Sequence, residues 1–203
     1  MQTEIEAKFL DVDPEKIRHK LKSVGAIREY PERLMRRSVF EHPTDKQNDW
    51  FRVRDENDKI TLSYKILTDR TLHGTKEITI EVNNFDDVCN ILKAAKLKFV
   101  AYQETKREKW TLDKIEITID TWPWIPTFVE VEADTEKEVR ETTEKLGLNW
   151  EDSLHGSVET AYQKYYDVTE EEVDDWESIT FVPVPDWLAR YRQRPARRWR
   201  SRA

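Results

Sequence analysis

Charged and apolar residues alternate along run after run of this sequence, and the charged positions carry long side chains of both signs. In Glu4-Ile5-Glu6-Ala7-Lys8-Phe9, a β-strand would set Glu4, Glu6 and Lys8 on one face and Ile5, Ala7 and Phe9 on the other. Thr61, Ser63 and Lys65 stand opposite Ile60, Leu62 and Tyr64 in the same way, and Glu77, Thr79 and Glu81 stand opposite Ile78, Ile80 and Val82. Glu116, Thr118 and Asp120 alternate with Ile115, Ile117 and Ile119, Arg52 and Arg54 share a face, and so do Glu130 and Glu132. A solvated strand face also alternates, but it is usually mixed and rich in Lys, Thr and Ser. Here carboxylates come in pairs and arginines come in pairs. One economical arrangement is a sheet closed on itself, with the charges inside, the apolar residues outside, and helices covering them.

Taken in order, the strands are expected over about Gln2–Leu10, Ile27–Glu41, Trp50–Asp55, Lys59–Ile66, Thr75–Val82, Phe99–Leu112, Ile115–Thr121 and Thr127–Ala133. Helices interrupt them. Asp13 as N-cap and Pro14 at the first helical position open one that Gly25 stops. Asn84 opens a second through Ala95, and Asp134 or Thr135 caps a third over Glu136–Leu146, ended by Gly147. A short helix around Val158–Tyr166 carries Tyr162 and Lys164. His42–Asp45 reads as a turn and Lys46–Asp49 as loop, while Arg28, Arg33, Arg36 and Arg37 lie on a strand whose parity the sequence leaves open. The tunnel-forming domain is expected over residues 1–167. Residues 168–203 form a C-terminal extension, acidic and then arginine-rich, whose lack of core-forming periodicity predicts partial disorder.

The bulk properties narrow the classes of function. A net charge of −7 does not favour a nucleic-acid or membrane partner. No apolar run is long enough to span a bilayer, and Met1 leads into Gln-Thr-Glu, so a cytoplasmic location is expected. The single cysteine, Cys89, sits among Val88, Ile91 and Leu92 and reads as a buried structural thiol. The 4 glycines form no phosphate loop, so any phosphate must be held by side chains.

The inward candidates are the acids Glu4, Glu6, Glu77, Glu81, Glu116, Asp120, Glu130 and Glu132 and the bases Lys8, Arg52, Arg54, Lys65 and Arg107, with Lys164 as a further base from a helix. So many carboxylates in one enclosure would raise one another's pKa values or destabilise the sheet unless cations balance them. Hard oxygen donors without clustered His or Cys favour Mg²⁺ or Mn²⁺. Arginines and lysines are the groups that hold phosphate oxygens. Acids with a metal, beside a cluster of bases, describe a site for a highly charged polyphosphate.

Glu-x-Glu-x-Lys (Glu4, Glu6, Lys8), Arg-x-Arg (Arg52, Arg54), Lys65, Lys106–Trp110, Glu116 with Asp120, and Glu-x-Glu (Glu130, Glu132) together resemble the CYTH superfamily over about residues 1–166. These triphosphate tunnel metalloenzymes include class IV adenylate cyclases, thiamine triphosphatases and inorganic triphosphatases. The resemblance implies an α+β fold built on an eight-stranded antiparallel β tunnel, a closed barrel with a charged interior and helices packed outside. It implies that Lys8, Arg52, Arg54, Lys65 and Arg107 grip phosphates, and that Glu4, Glu6, Asp120, Glu130 and Glu132 bind one or two divalent ions. Lys164 resembles the basic residue on the family's plug helix, and with Lys8, Glu6 and Arg107 it makes up the expected catalytic set. Glu77, Glu81 and Glu116 would belong to the inner wall. The expected activity is metal-dependent hydrolysis of a small-molecule triphosphate, with inorganic tripolyphosphate as the leading substrate. The alternatives are a class IV type adenylate cyclase, a thiamine triphosphatase, and a non-catalytic polyphosphate or nucleotide-binding protein. Both arginines of Arg-x-Arg are present, which resembles the hydrolase branches.

Overall fold

Residues 2–41, 49–69 and 71–192 are described in a computed structural model, residues 2–4 by their backbone alone. Of the turn and loop expected over 42–49, residues 42–48 lie outside the described residues and Asp49 begins a strand; the arginine-rich stretch 193–203 also lies outside them.

The strands expected from alternation form where they were expected: β1 (Gln2–Phe9), β2 (Ile27–Glu41), β3 (Asp49–Asp55), β4 (Ile60–Leu67), β5 (Thr75–Val82), β6 (Lys98–Leu112), β7 (Ile115–Thr121) and β8 (Phe128–Ala133). They build an α+β fold around a strongly curled sheet with the order β6-β2-β3-β4-β5-β1-β8-β7, every neighbouring pair antiparallel. β6 and β7 also pair with each other, from Lys106↔Thr121 to Leu112↔Ile115. Two short strands add to it: β9 (Ser153–Leu154) against β1, and β10 (Ser178–Ile179) parallel to β6.

The helices start and stop on the signals in the sequence. Asp13 accepts from the backbone N–H of Glu15 and Lys16 at the start of α1 (Pro14–Ser23), and Asn84 caps α2 (Phe85–Ala94). Thr135 rather than Asp134 caps α3 (Glu136–Leu146). Gly147 ends that helix at φ 75°, a left-handed conformation that costs a glycine little.

Curling separates the two faces of the sheet. The outward residues Ala7 and Phe9 of β1, Ile117 and Ile119 of β7, and Val129 and Val131 of β8 are buried beneath Ile17 and Leu21 of α1 and Val139 and Leu146 of α3. Phe40 of β2 and Val53 of β3 are covered by Phe85, Cys89 and Leu92 of α2, which makes Cys89 the buried packing thiol its neighbours predicted. The apolar layer therefore lies outside the sheet, and the charged parity is left to face inward. Among the described residues, no helix is long and apolar enough to cross a membrane.

A third cluster gathers where β1 and β7 finish and β8 begins. Trp122, Ile125 and Phe128 pack there with Ala161 and Tyr162 of α4 (Glu159–Tyr165). Residues 168–192 join them instead of standing off from the domain. Val173 of α5 (Glu170–Asp174), Ile179 of β10 and Leu188 of α6 (Asp186–Ala189) are each buried in this cluster. Periodicity could not find these anchors because each comes from a different short element. If they hold the extension down, Leu188→Ala should lower the unfolding free energy by about 2–5 kcal/mol in urea titration, the usual cost of truncating a fully buried leucine. An unchanged midpoint would mean that the extension is not part of the cooperative unit.

Candidate functional site

Strand register turns the separate charged pairs into rows. Glu6 of β1 lies beside Glu132 of β8, which lies beside Glu116 of β7, so three carboxylates stand abreast. In the next row Lys8 faces Glu130, and Glu130 faces Thr118. On the other half of the strand order, Arg37 of β2 is directly opposite Arg54 of β3. Trp50, Lys65 and Glu77 make a further row across β3, β4 and β5. These inward faces enclose a cavity of about 1020 Å³. Lys8, Arg52, Arg54, Lys65 and Arg107 all line it, and so do Glu6, Glu77, Glu116, Glu130 and Glu132.

The charges are held by one another. Lys8 is only 3% exposed; its Nζ donates to Glu6 Oε1 at 2.6 Å and to the carbonyl of Gly156 at 2.7 Å, and lies 3.0 Å from Glu130 Oε1. Burial opposes its charge, but Glu6 and Glu130 outweigh that cost and hold the ammonium above its ordinary pKa. Arg107 grips Asp120 with a two-point fork, Nε to Oδ1 at 2.7 Å and Nη2 to Oδ2 at 2.6 Å, and reaches Glu130 Oε2 at 2.8 Å. Burial works against ionisation of Glu130, yet Lys8 and Arg107 hold its carboxyl well below the usual range. Lys65 and Arg52 share Glu77 at 2.8 and 3.3 Å, Arg54 holds Glu56 at 2.6 Å, and Lys109 holds Glu116 at 2.5 Å. Glu132 has no ion pair of this kind among the described residues. Burial, followed by the neighbouring carboxylates Glu6, Glu116 and Glu130, pushes its carboxyl up to about 7.

Several expected site residues stand elsewhere. Lys164 is exposed on α4 and does not line the cavity. The helix turns Ala161 and Tyr162 inward, and a residue two positions after Tyr162 projects from the opposite side. Glu81 is exposed beyond the cavity lining. Asp120 is 1% exposed and lies behind Arg107, with both oxygens bonded to that guanidinium and Oδ2 also accepting from Thr118. Burial raises its carboxyl against the pull of Arg107. It orients Arg107 and is not on the cavity wall. Glu4 lies on β1, but its side chain is outside the described residues.

Other lining residues were missed. Arg37 is buried on the inner face, where the unresolved parity of the β2 arginines hid it, and Glu56 enters from the turn after β3. Glu170, Glu171, Asp174, Asp175 and Glu177 of the extension line the cavity at the end where that segment packs. Their charge was legible in the sequence, but their position depends on the three buried anchors.

The donor set is carboxylate oxygen, which suits a hard divalent cation. Three carboxylates in register with too few cations also leave a deficit of positive charge that such an ion would fill. Among the described residues no group of three or more donors stands together as a ready-made metal site. Glu6, Glu116 and Glu130 are each drawn aside by Lys8, Lys109 or Arg107.

A family model described as the CYTH domain matches residues 2–166. No curated protein matches the chain. Among solved structures, the PH1012 protein of Pyrococcus horikoshii OT3 is similar at 24% identity and a TM-score of 0.64, over 74% of this chain and 93% of that one. A Vibrio parahaemolyticus protein assigned provisionally as an adenylate cyclase is similar at 13% identity and a TM-score of 0.67, covering 80% of this chain and 98% of its own. A Hippeastrum protein provisionally called an adenylyl cyclase, and described as having a dominant triphosphatase activity, is similar at 11% identity and a TM-score of 0.54, over 86% of this chain and 95% of that one. At these identities the likeness is one of fold.

The position of Glu132 has a pH signature. Its carboxyl holds a proton up to about 7 in the folded protein, against 4.5 for an ordinary glutamate, so the folded state loses stability as pH rises between those values. With chelator present, Glu132→Gln should melt at a higher temperature than the wild type above pH 7, and the difference should close towards pH 4.5. Equal melting temperatures at pH 8 would show that the carboxylate is not opposed in the folded protein.

Proposed function

We propose, for a chain that belongs to the CYTH domain family, that it hydrolyses a triphosphate with the help of a divalent cation, inorganic tripolyphosphate being the leading substrate. The observation that carries this reading is the pairing of two unlike surfaces in one cavity: the carboxylate row Glu6, Glu132 and Glu116, and the bases Lys8, Arg52, Arg54, Lys65 and Arg107. A sugar or a peptide would need neither. The pairing of β7 with β6 supports reading the curled sheet as a closed eight-stranded tunnel, through which a linear polyanion could be threaded.

In this mechanism Arg52, Arg54 and Lys65 hold phosphate oxygens from one half of the sheet, while Lys8 and Arg107 hold them from the other. Their present partners are carboxylates, so an incoming phosphate exchanges one anion for another at each cation. Asp120 keeps the Arg107 fork facing inward during that exchange. The Gly156 carbonyl does the same for Lys8, because it retains one ammonium donor whichever anion takes the others. CYTH triphosphate tunnel enzymes generally use divalent metals, and in this reading Glu6, Glu130 and Glu132 would hold one here, with Mg²⁺ or Mn²⁺ the fitting ions. What such a cation supplies when bound is charge neutralisation at the phosphate oxygens and acidification of an attacking water. As water oxygen bonds to the terminal phosphorus, the bridging P–O bond breaks, releasing orthophosphate and pyrophosphate. The fixed cations stabilise the charge that accumulates on the bridging oxygen, and no nucleophilic side chain is needed.

A cyclase reading would use the same phosphate grip but would also require recognition of a base and activation of a ribose hydroxyl. The dominant triphosphatase activity described for the Hippeastrum protein accords with hydrolysis.

The test incubates purified protein with Mg²⁺ or Mn²⁺ and, separately, with tripolyphosphate, ATP and thiamine triphosphate, and identifies the products. Orthophosphate with pyrophosphate from tripolyphosphate is the expected outcome; cyclic AMP with pyrophosphate from ATP would replace it with the cyclase. Lys8→Ala and Glu132→Ala should each lower kcat by at least about a hundredfold, in line with losses on removing a charge that stabilises a transition state. Both variants should keep the wild-type far-ultraviolet circular dichroism. A variant that turned over at the wild-type rate would remove its residue from the mechanism.

A further inference from the structure

The arginines of the cavity are not alike. Arg52, Arg54 and Arg107 each have a carboxylate within ion-pair distance. Arg37 has none among the described residues, although it is only 7% exposed and lines the same cavity. One Nη donates to Thr105 Oγ1 at 3.0 Å, and the buried Nε has no hydrogen-bond partner. Trp122 lies against the guanidinium, 4.6 Å from its carbon to the ring centroid. Across the strands its immediate neighbours are Arg54, a like charge, and the neutral Gln103.

That environment is costly for a cation. A buried guanidinium with no carboxylate in contact recovers little of its desolvation cost, and like charges directly opposite on adjacent strands repel. Burial, then Arg52, Arg54 and Arg107, accordingly drive the group well below its ordinary pKa, against the smaller pull of Asp120. The contacts that Arg37 does have fix its direction rather than neutralise it. Thr105 and Trp122 hold the planar fork in one orientation with donors to spare, which is the condition of a group prepared for an anion.

We propose that Arg37 is a further anion-holding residue of this cavity, donating through its oriented guanidinium to a phosphoryl oxygen of an inorganic polyphosphate. The proposal rests on the triphosphate reading of the cavity and adds to it a binding residue on β2, outside the motifs that carried that reading. Two properties follow from a single cause. Arg37 strengthens binding because the phosphate is its missing counter-charge, and it weakens the empty protein for the same reason. A residue with a purely structural role would do neither.

The test measures both properties in full-length protein, with chelator present so that no metal is involved. Calorimetric titration with inorganic tripolyphosphate is expected to show Arg37→Met binding about tenfold or more weakly than the wild type, the scale of one charge-assisted hydrogen bond. In ligand-free melting the same variant is expected to unfold at a higher temperature than the wild type. Equal affinity for tripolyphosphate would overturn the role of Arg37 while leaving the rest of the cavity reading intact. Weaker binding together with a lower ligand-free melting temperature would also overturn it, by showing that Arg37 supports the fold. Should Arg37→Met not fold, Arg37→Lys keeps the charge without the fork and is expected to bind more weakly than the wild type; wild-type affinity there would sink the proposal. Failure of the wild type itself to bind tripolyphosphate would remove the cavity reading and this proposal with it.

Discussion

Lys8 stands where the two halves of the charge pattern meet, and its surroundings show what the rest of the structure must accommodate. An ammonium that is 3% exposed survives only because Glu6, Glu130 and the Gly156 carbonyl surround it. Arg107 is held in the same way by Asp120 and Glu130. A buried charge lacking such partners costs several kcal/mol, so the inward face of the sheet is stable only as a network in which each group's partners are supplied by neighbouring strands. Register becomes the governing variable. A one-residue slip of β1 against β8 would carry Lys8 and Glu6 to the outer face among the α1 and α3 side chains, and bring Ala7 into the cavity.

Much of this was legible because alternation is a short-range signal. Glu6 with Lys8, Arg52 with Arg54, and Glu130 with Glu132 declare their common faces within three residues, and the cavity receives all of them. Arg37 escaped because β2 does not alternate cleanly: its arginines fall on both parities, and its pairing with β6 contains register shifts. Which of them turned inward depended on the partner strand. Lys164 was misplaced for the complementary reason. The short α4 contributes so little local pattern that its orientation is set by Ala161 and Tyr162 packing against Trp122, a long-range contact that no local spacing announces. Asp120 and Glu130 share the parity expected of inward carboxylates, yet one backs an arginine and the other lines the cavity, a distinction that belongs to the third dimension.

The cavity is unbalanced in two places and in opposite senses. Around Glu132 there are too many carboxylates, and around Arg37 too many guanidiniums. Between them, Lys8 with Glu6, Arg52 with Glu77, and Lys109 with Glu116 are matched at 2.5–3.3 Å. A fold optimised for stability alone would have no reason to keep either imbalance, since an apolar or neutral residue at both positions would relieve it. In the function proposed above a cation would relieve the first and a polyanion the second, and the attraction between these opposite charges would make the two binding events mutually reinforcing.

The extension introduces a polarity along the cavity that the sheet does not have. Glu170, Glu171, Asp174, Asp175 and Glu177 form an acidic collar at the end where Val173, Ile179 and Leu188 tie the segment down. These residues lie beyond residue 166, where the family match ends. A polyanion approaching through the collar meets a repulsive field, whereas one approaching from the far end meets none of these carboxylates. In the tunnel proposed above the two mouths would therefore be inequivalent as routes of access for a polyphosphate, and ionic strength, which screens the collar far more than the buried grip, would be a physical control over which of them it uses.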